Sequence, residues 1–403
     1  MTDNALNIVD NRNTIMRKGY DVIVVGGGIA GIAAAVSSAR EGASTLLIEK
    51  QINLGGLATT GLINWYEPLC DGEGNKIIGG VAEEMIKLSI KYSFENLPAK
   101  WGGEGKNSIH YDRYATRFSP TVFSLALDEY VIDSGAEIKF DTLATCPVKS
   151  GDTIIGVLTE TVEGKEFYPC KILIDTTGDA SVSMRAGIPT ELGDNWLVYV
   201  CHTLEDKAIE AYTENRDMPA LRKWMSCGGD MNGNGNIEGV PKQVMTDSIS
   251  ENNFILTSKK HIFERYKNKY KNKNGNDIMT LPTMPQYRKI RRIIGEYTFT
   301  GSREERFSDS IGFVGDFRAS GKRYQLPFSA LYNKSVANLL TAGRIISAAG
   351  DGWEIVRVIP VCALTGQAAG TAASLLLAND MNYDSIIAKL QKKLIKTGIL
   401  IDN

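Results

Sequence analysis

The chain is short of the features that mark several function classes. Net charge is almost absent: 45 Lys and Arg against 47 Asp and Glu leave −2 over 403 residues. No global field would hold such a chain on a phosphate backbone or an anionic bilayer, so neither nucleic acid nor membrane is an expected partner. Histidine is scarce, and the three residues His110, His202 and His261 have no metal-ligand spacing to the six cysteines. Cys70, Cys146, Cys170, Cys201, Cys227 and Cys362 also contain no CxxC pair, which argues against zinc; no metal is expected. Scattered, unpaired thiols fit a reducing compartment, and the expected location is cytoplasmic. An uninterrupted apolar run is missing too. The uncharged stretch from Val22 to Ala39 follows Met16-Arg17-Lys18, but Gly26, Gly27, Gly28 and Gly31 break it and Asp21 stands at its mouth. That pattern suits neither a signal h-region nor a spanning helix.

Glycine is what the chain has in excess, 40 residues against 12 prolines. Many places must need close backbone approach or positive φ. The length fits two or three domains, or one large α/β domain with a second inserted in it. Residues 1–18 are polar and aperiodic and read as a flexible tail. Asp21–Val25 reads as a buried parallel strand, followed by Gly26-Gly27-Gly28-Ile29-Ala30-Gly31, a helix of small residues Ile32–Arg40, and a strand Ser44–Ile48 ending at Glu49. Ile138–Val148, Thr153–Thr161 and Lys165–Pro169 alternate apolar and polar residues and read as a three-stranded antiparallel meander. Lys171–Asp175 is then a buried strand. Leu339–Ala342 reads as a short strand and Pro360–Ala378 as a long helix. The region Glu191–Asn333 differs in texture, with prolines, a Gly/Asn-rich loop and a Lys-rich helix at 259–273. It is expected to form an inserted substrate domain between two parts of the first unit, 19–190 and 334–403.

The strand, Gly26-x-Gly28-x-x-Gly31 and helix, with Glu49 closing the next strand, predict a dinucleotide site. Glycines allow the turn and the approach of a pyrophosphate to the helix amides, with Ile29, Ala30, Glu49 and Lys50 beside it. A ligand-free glycine turn remains the alternative.

Which dinucleotide is bound depends on the rest of the chain. Leu54-Gly55-Gly56-Leu57-Ala58-Thr59-Thr60-Gly61, the meander leading to Ile174-Asp175-Thr176-Thr177-Gly178-Asp179, Ala342-Gly343-Arg344 and Gly366-Gln367-Ala368-Ala369-Gly370 together resemble the FAD-dependent oxidoreductases of the glutathione-reductase-like flavoprotein fold. The chain is most similar to the branch that includes the fumarate-reductase-like flavoproteins. The resemblance implies an α/β fold, with a Rossmann-type FAD-binding domain, an antiparallel meander and an inserted α+β substrate domain. It implies FAD as cofactor, with Gly55, Gly56, Leu57, Ala58 and Thr59 along the flavin side and Thr177, Gly178 and Asp179 near the pyrophosphate. Val148 of the meander, Gly343 and Arg344 would add further contacts. A helix beginning near Gly366, with Ala368 and Ala369, would aim its positive end at the flavin; small-residue helix packing is the alternative for that segment. The cysteine pair of the disulfide reductases is absent from this stretch, and so is a second glycine motif for a nicotinamide cofactor, which leaves the electron partner open.

The expected reaction is hydride transfer between flavin N5 and a small polar metabolite, a sugar or an organic acid. A flavin monooxygenase or a flavin-binding protein without turnover are the rivals. Candidate catalytic groups are His202, Arg288, Arg291, Arg292 and Arg357. A helix through residues 288–292 would set Arg288 on one face with Arg291 and with Arg292, the spare arginines pairing with Glu296 or Glu304. Asp230-x-Asn232-x-Asn234-Gly235 imitates a calcium loop but has Pro241 where the last acidic ligand belongs. The Lys-rich helix reads as a solvated face. Oligomeric state is not set by the sequence.

Overall fold

The computed structural model describes residues 13–104, 113–216, 218–245, 247–269, 276–302 and 305–402. Val22, Ile23 and Val24 are fully buried, because a β-branched run with no polar alternation is stable only inside a sheet covered on both faces. Their strand, Tyr20–Val25, lies parallel between Thr45–Ile48 and the end of Gly164–Asp175. Glu137–Lys139 and Leu339–Thr341 extend the parallel sheet on its two sides.

Two strand boundaries differ from the sequence reading. The expected strand Ile138–Val148 is two strands, since Asp141 adopts φ 49° and separates Glu137–Lys139 from Leu143–Ser150. Conversely, the expected Lys165–Pro169 and Lys171–Asp175 are one twelve-residue strand, Gly164–Asp175. Its first half pairs antiparallel with Thr153–Thr161 and its second half parallel with Tyr20–Val25, and Pro169 stands at the handover. One strand thus carries both the meander and the parallel sheet, which fixes the two relative to each other. Of the expected tail, residues 1–12 lie outside the described residues. Ile15–Met16 add a short parallel strand beside Glu166–Phe167, and Arg17 pairs with Glu166 and Glu163.

The helix Ile29–Arg40 starts directly after the glycine turn, three residues earlier than the sequence reading placed it. Packed on it is the helix Ile359–Leu377, which is long and apolar enough to cross a membrane but has most of its apolar length buried inside the fold. Small residues bring the two axes together: a Cβ on Gly366 would lie 2.1 Å from the Ala30 carbonyl oxygen, and one on Gly370 as close to that of Ala34.

The region 191–333 divides between cores. Leu197, Tyr199, Cys201, Met225, Cys227, Phe254, Ile262 and Tyr287 close an apolar cluster of their own, around the antiparallel strands Val198–Leu204, Lys223–Gly228 and Asp277–Thr280 and the helix Ser248–Lys269. From Phe299 to Tyr332 the buried side chains join the main core of the parallel sheet instead.

Candidate functional site

At the carboxyl end of the parallel strands an open cavity of about 1010 Å³ runs from Glu49 to the 284–290 segment. Such a crevice is where an open α/β sheet binds ligands. Its floor is built by the glycines, each under a different constraint. Gly26 has φ +107° and a Cβ there would meet the Thr176 carbonyl oxygen at 2.7 Å, so only glycine makes the turn. Gly31 faces inward, where a Cβ would sit 1.8 Å from the Gly26 oxygen. Gly28 has nothing within 4 Å of a Cβ position and borders the cavity. Turn, open approach and close packing are what a pyrophosphate cradle asks of three glycines in this order. The helix after them has no side-chain cap, so its first amides and the positive end of its dipole remain for a ligand.

Glu49 lines the same wall. One carboxylate oxygen accepts the Gly27 amide and the other the Gln51 amide at 2.8 Å, while burial pushes its pKa up. The acid is thereby fixed at the strand end, where it can accept ribose hydroxyls. Lys50, Ile29 and Ala30 border the cavity beside it. Gly55, at φ +101°, turns the chain so that Gly55, Gly56, Leu57 and Ala58 form the opposite wall. Thr59 lies behind that wall, its hydroxyl donating to the Leu54 carbonyl at 2.5 Å. Thr177, Gly178 and Asp179 close a third side; the Thr177 amide and hydroxyl both donate to buried Asp175, at 3.0 and 2.7 Å. Gly343 and Arg344 close the fourth. The Arg344 guanidinium donates to the carbonyls of Gly178 and Tyr287 and so ties the cavity rim to the segment that caps it. These residues fit a dinucleotide of the length of FAD.

Several sequence candidates stand elsewhere. Val148 lies in the meander opposite Gly156, off the cavity wall. Gly366, Ala368 and Ala369 are buried two turns into their helix and serve its packing on the first helix. That helix begins at Ile359, and Ile359 and Cys362 of its first turn are what reach the cavity.

The arginine segment is not helical. Arg291–Ile293 is a strand paired with Thr190–Leu192 and no helix spans 288–292, so the face that Arg288 was expected to share with Arg291 and with Arg292 does not form. Buried Arg292 pairs with Glu191 at 2.6 Å, not with Glu296, whose carboxylate accepts the Lys334 amide; Glu304 lies outside the described residues. Arg291 donates to the Asp179 carbonyl at 3.3 Å. The Arg288 Nη1 is buried without a hydrogen-bond partner, as is the Arg292 Nε, but Arg288 has no ion pair like that of Arg292 with Glu191 among the described residues. Burial and the nearby Arg357 push the Arg288 pKa down to about 10. Arg357 itself lines the cavity and is held by Glu354 at 2.6 Å. His202 is buried in the strand Val198–Leu204 and accepts the Trp224 indole N–H at 3.2 Å. Burial, Arg222 and Arg117 hold its pKa down at about 4, so it is neutral, and it does not border the cavity.

Sequence reading missed Thr176, Glu251, Met284, Pro285, Tyr287, Ile290, Ile359 and Cys362, all on the cavity wall. They come from loops and from the first turns of two helices, and these segments meet only in the fold. Glu67 was missed too. It accepts the Ile359 amide at 3.4 Å, at the start of the helix, and burial raises its pKa to about 7 against the pull of Arg357. The Asp230 carboxylate is spent within its own loop, on the amides of Asn232 and Asn234. Among the described residues no three His, Cys, Asp or Glu gather as a metal site.

Comparison with known proteins gives the same picture. The sequence matches the family described as FAD dependent oxidoreductase over residues 21–203 and 215–394. It is 26% identical to digeranylgeranylglycerophospholipid reductase 2 of Methanococcoides burtonii, over 75% of this chain and 69% of that one. To digeranylgeranylglycerophospholipid reductase of Methanosarcina acetivorans it is 28% identical, over 44% of this chain and 42% of that one. Its fold is similar to that of a geranylgeranyl bacteriochlorophyll reductase-like protein of Thermoplasma acidophilum, with a TM-score of 0.52 and 14% identity over 94% of this chain and 84% of that one.

Proposed function

This chain belongs to the FAD-dependent oxidoreductase family, is an enzyme and uses FAD, and from that premise we propose that it oxidises or reduces an organic substrate held by an acidic group at the Arg357 end of the cavity. When bound, FAD supplies hydride transfer at N5. The rest falls to the protein's own side chains. Arg357 and Arg288 hold the substrate anion, and Glu67 holds or releases a proton near neutral pH. Met284, Pro285 and Ile290 line the cavity beside them and exclude water.

One observation carries the reading: an unpartnered guanidinium donor of Arg288 close to Arg357 on the cavity wall. Lys289 and Arg357 both pair with Glu354, at 2.9 and 2.5 Å, Lys289 also reaches Asp194 at 3.8 Å, and the Arg288 Nη1 has no hydrogen-bond partner. An unpaired buried cationic donor is costly unless a ligand anion completes it. A second reading, reduction of an isoprenoid-bearing lipid, draws support from the names of the curated relatives and from Met284, Pro285, Ile290 and Ile359 on the cavity wall.

Anaerobic reduction of the bound flavin separates these. Bleaching by small carboxylates or phosphate esters, lost about a hundredfold in Arg357→Ala and Arg288→Ala with FAD retained, is the expected result. Bleaching by dithionite followed by reoxidation with an isoprenoid lipid alone would favour the second. Reduction only by NAD(P)H, followed by oxygen consumption, would point to a monooxygenase.

A further inference from the structure

The helix Ser248–Lys269 packs Phe254, Ser258 and Ile262 inward. Its opposite face is not the polar surface that the Lys-rich sequence suggests. Ile249, Leu256 and Phe263 stand seven residues apart, within about 40° of one another around the axis, and are 72%, 56% and 55% exposed. Exposed Asn253, Lys260 and Lys267 interleave with them, and the Lys267 ammonium lies 4.9 Å from the centre of the Phe263 ring. The helix carries Lys259, Lys260, Arg265, Lys267 and Lys269 against Glu251 and Glu264, and of these cations Lys269 pairs with Glu205 at 2.6 Å. A chain with a net charge of −2 therefore concentrates positive charge on one helix that also exposes three large apolar side chains.

We infer that the outward face of the helix Ser248–Lys269 docks on an anionic lipid surface. Apolar side chains of this size enter the acyl boundary, while lysines beside them reach the headgroups through their flexible stems. A second copy of this chain fits worse, because pairing the face with itself brings Lys260 and Lys267 against like charges. Nucleic acid would use the lysines but leave Ile249 and Leu256 exposed. The low net charge that makes a membrane an unexpected partner is a whole-chain average and does not describe this face. Glu251, in the first turn of the same helix, lines the cavity, and its carbonyl accepts the Tyr287 hydroxyl at 3.3 Å. Docking would therefore bring that end of the cavity close to the lipid.

The test is cosedimentation of the holoprotein with vesicles of phosphatidylcholine alone, or of phosphatidylcholine mixed with phosphatidylglycerol. It uses no turnover and so is independent of the proposed reaction. The expected result is binding to the mixed vesicles only, released by high salt. Leu256→Asp with Phe263→Asp should abolish it, and Lys260→Ala and Lys267→Ala should each weaken it about fivefold, all with unchanged FAD content. Failure to bind mixed vesicles overturns the inference, as does binding that the double variant retains. Self-association removed by the double variant in the absence of vesicle binding would assign the face to a second copy. Preferential binding of an oligonucleotide would assign it to nucleic acid.

Discussion

Gly28 and Gly31 lie three residues apart and answer to different neighbours. A methyl group on Gly31 runs into the backbone of Gly26, so Gly31→Ala should destabilise the fold by about 3 kcal/mol, as overpacking against an unyielding backbone does. Calorimetry of the apoprotein would show it; an unchanged melting temperature would mean the turn is looser than described. Glu49→Ala acts on the ligand instead and should weaken FAD binding by about 2 kcal/mol through lost charge-assisted bonds to ribose. His202 makes a pH prediction. Its folded pKa of about 4 lies below the ordinary value of 6.5, so between those pH values the unfolded chain binds more protons than the folded one. Stability should fall as pH drops from about 6.5 towards 4, by up to about 3 kcal/mol. His202→Gln should flatten that limb of a melting-temperature profile, whereas a titrating active-site base would leave it and alter activity.

Two kinds of element separate what was legible in the sequence from what was not. The turn Gly26–Gly31 and the acid at Glu49 were readable because each is local, a few adjacent residues imposing both the conformation and the chemistry, whereas the Gly55–Ala58 wall was legible only through the resemblance to a known family. The arginine segment misled because its spacing was read on a helix. Arg291–Ile293 is instead a strand, held there by its partner Thr190–Leu192 a hundred residues away, and no local pattern encodes that pairing. Glu67 was invisible for the same reason, since its environment comes from the start of a helix nearly three hundred residues later. The small residues Gly366 and Gly370 carried a correct signal for a close approach, but the approach is to the first helix and not to a ligand. Gly366→Ala should therefore destabilise the protein by about 2 kcal/mol or more, since its Cβ would strike the Ala30 carbonyl. FAD should be lost only in step with unfolding. A variant that kept full stability yet lost flavin would restore the ligand-facing role.

At the scale of the whole molecule, the strand Gly164–Asp175 joins the meander to the parallel sheet, and the loops at the sheet's carboxyl end meet the 284–290 segment across one cavity. Arg344 and Arg291 tie the two sides together through the carbonyls of Gly178, Tyr287 and Asp179. The central claim is that this cavity is the FAD site and that Gly28 is where the cofactor approaches the backbone. Equilibrium binding of FAD to apoprotein, wild type beside Gly28→Val, with melting temperatures of both, tests that claim most directly. The account predicts one FAD per wild-type chain, and a variant that melts as the wild type does but binds FAD at least about a hundredfold more weakly, a difference of about 2.7 kcal/mol. A folded Gly28→Val protein that binds FAD as tightly as the wild type would contradict it.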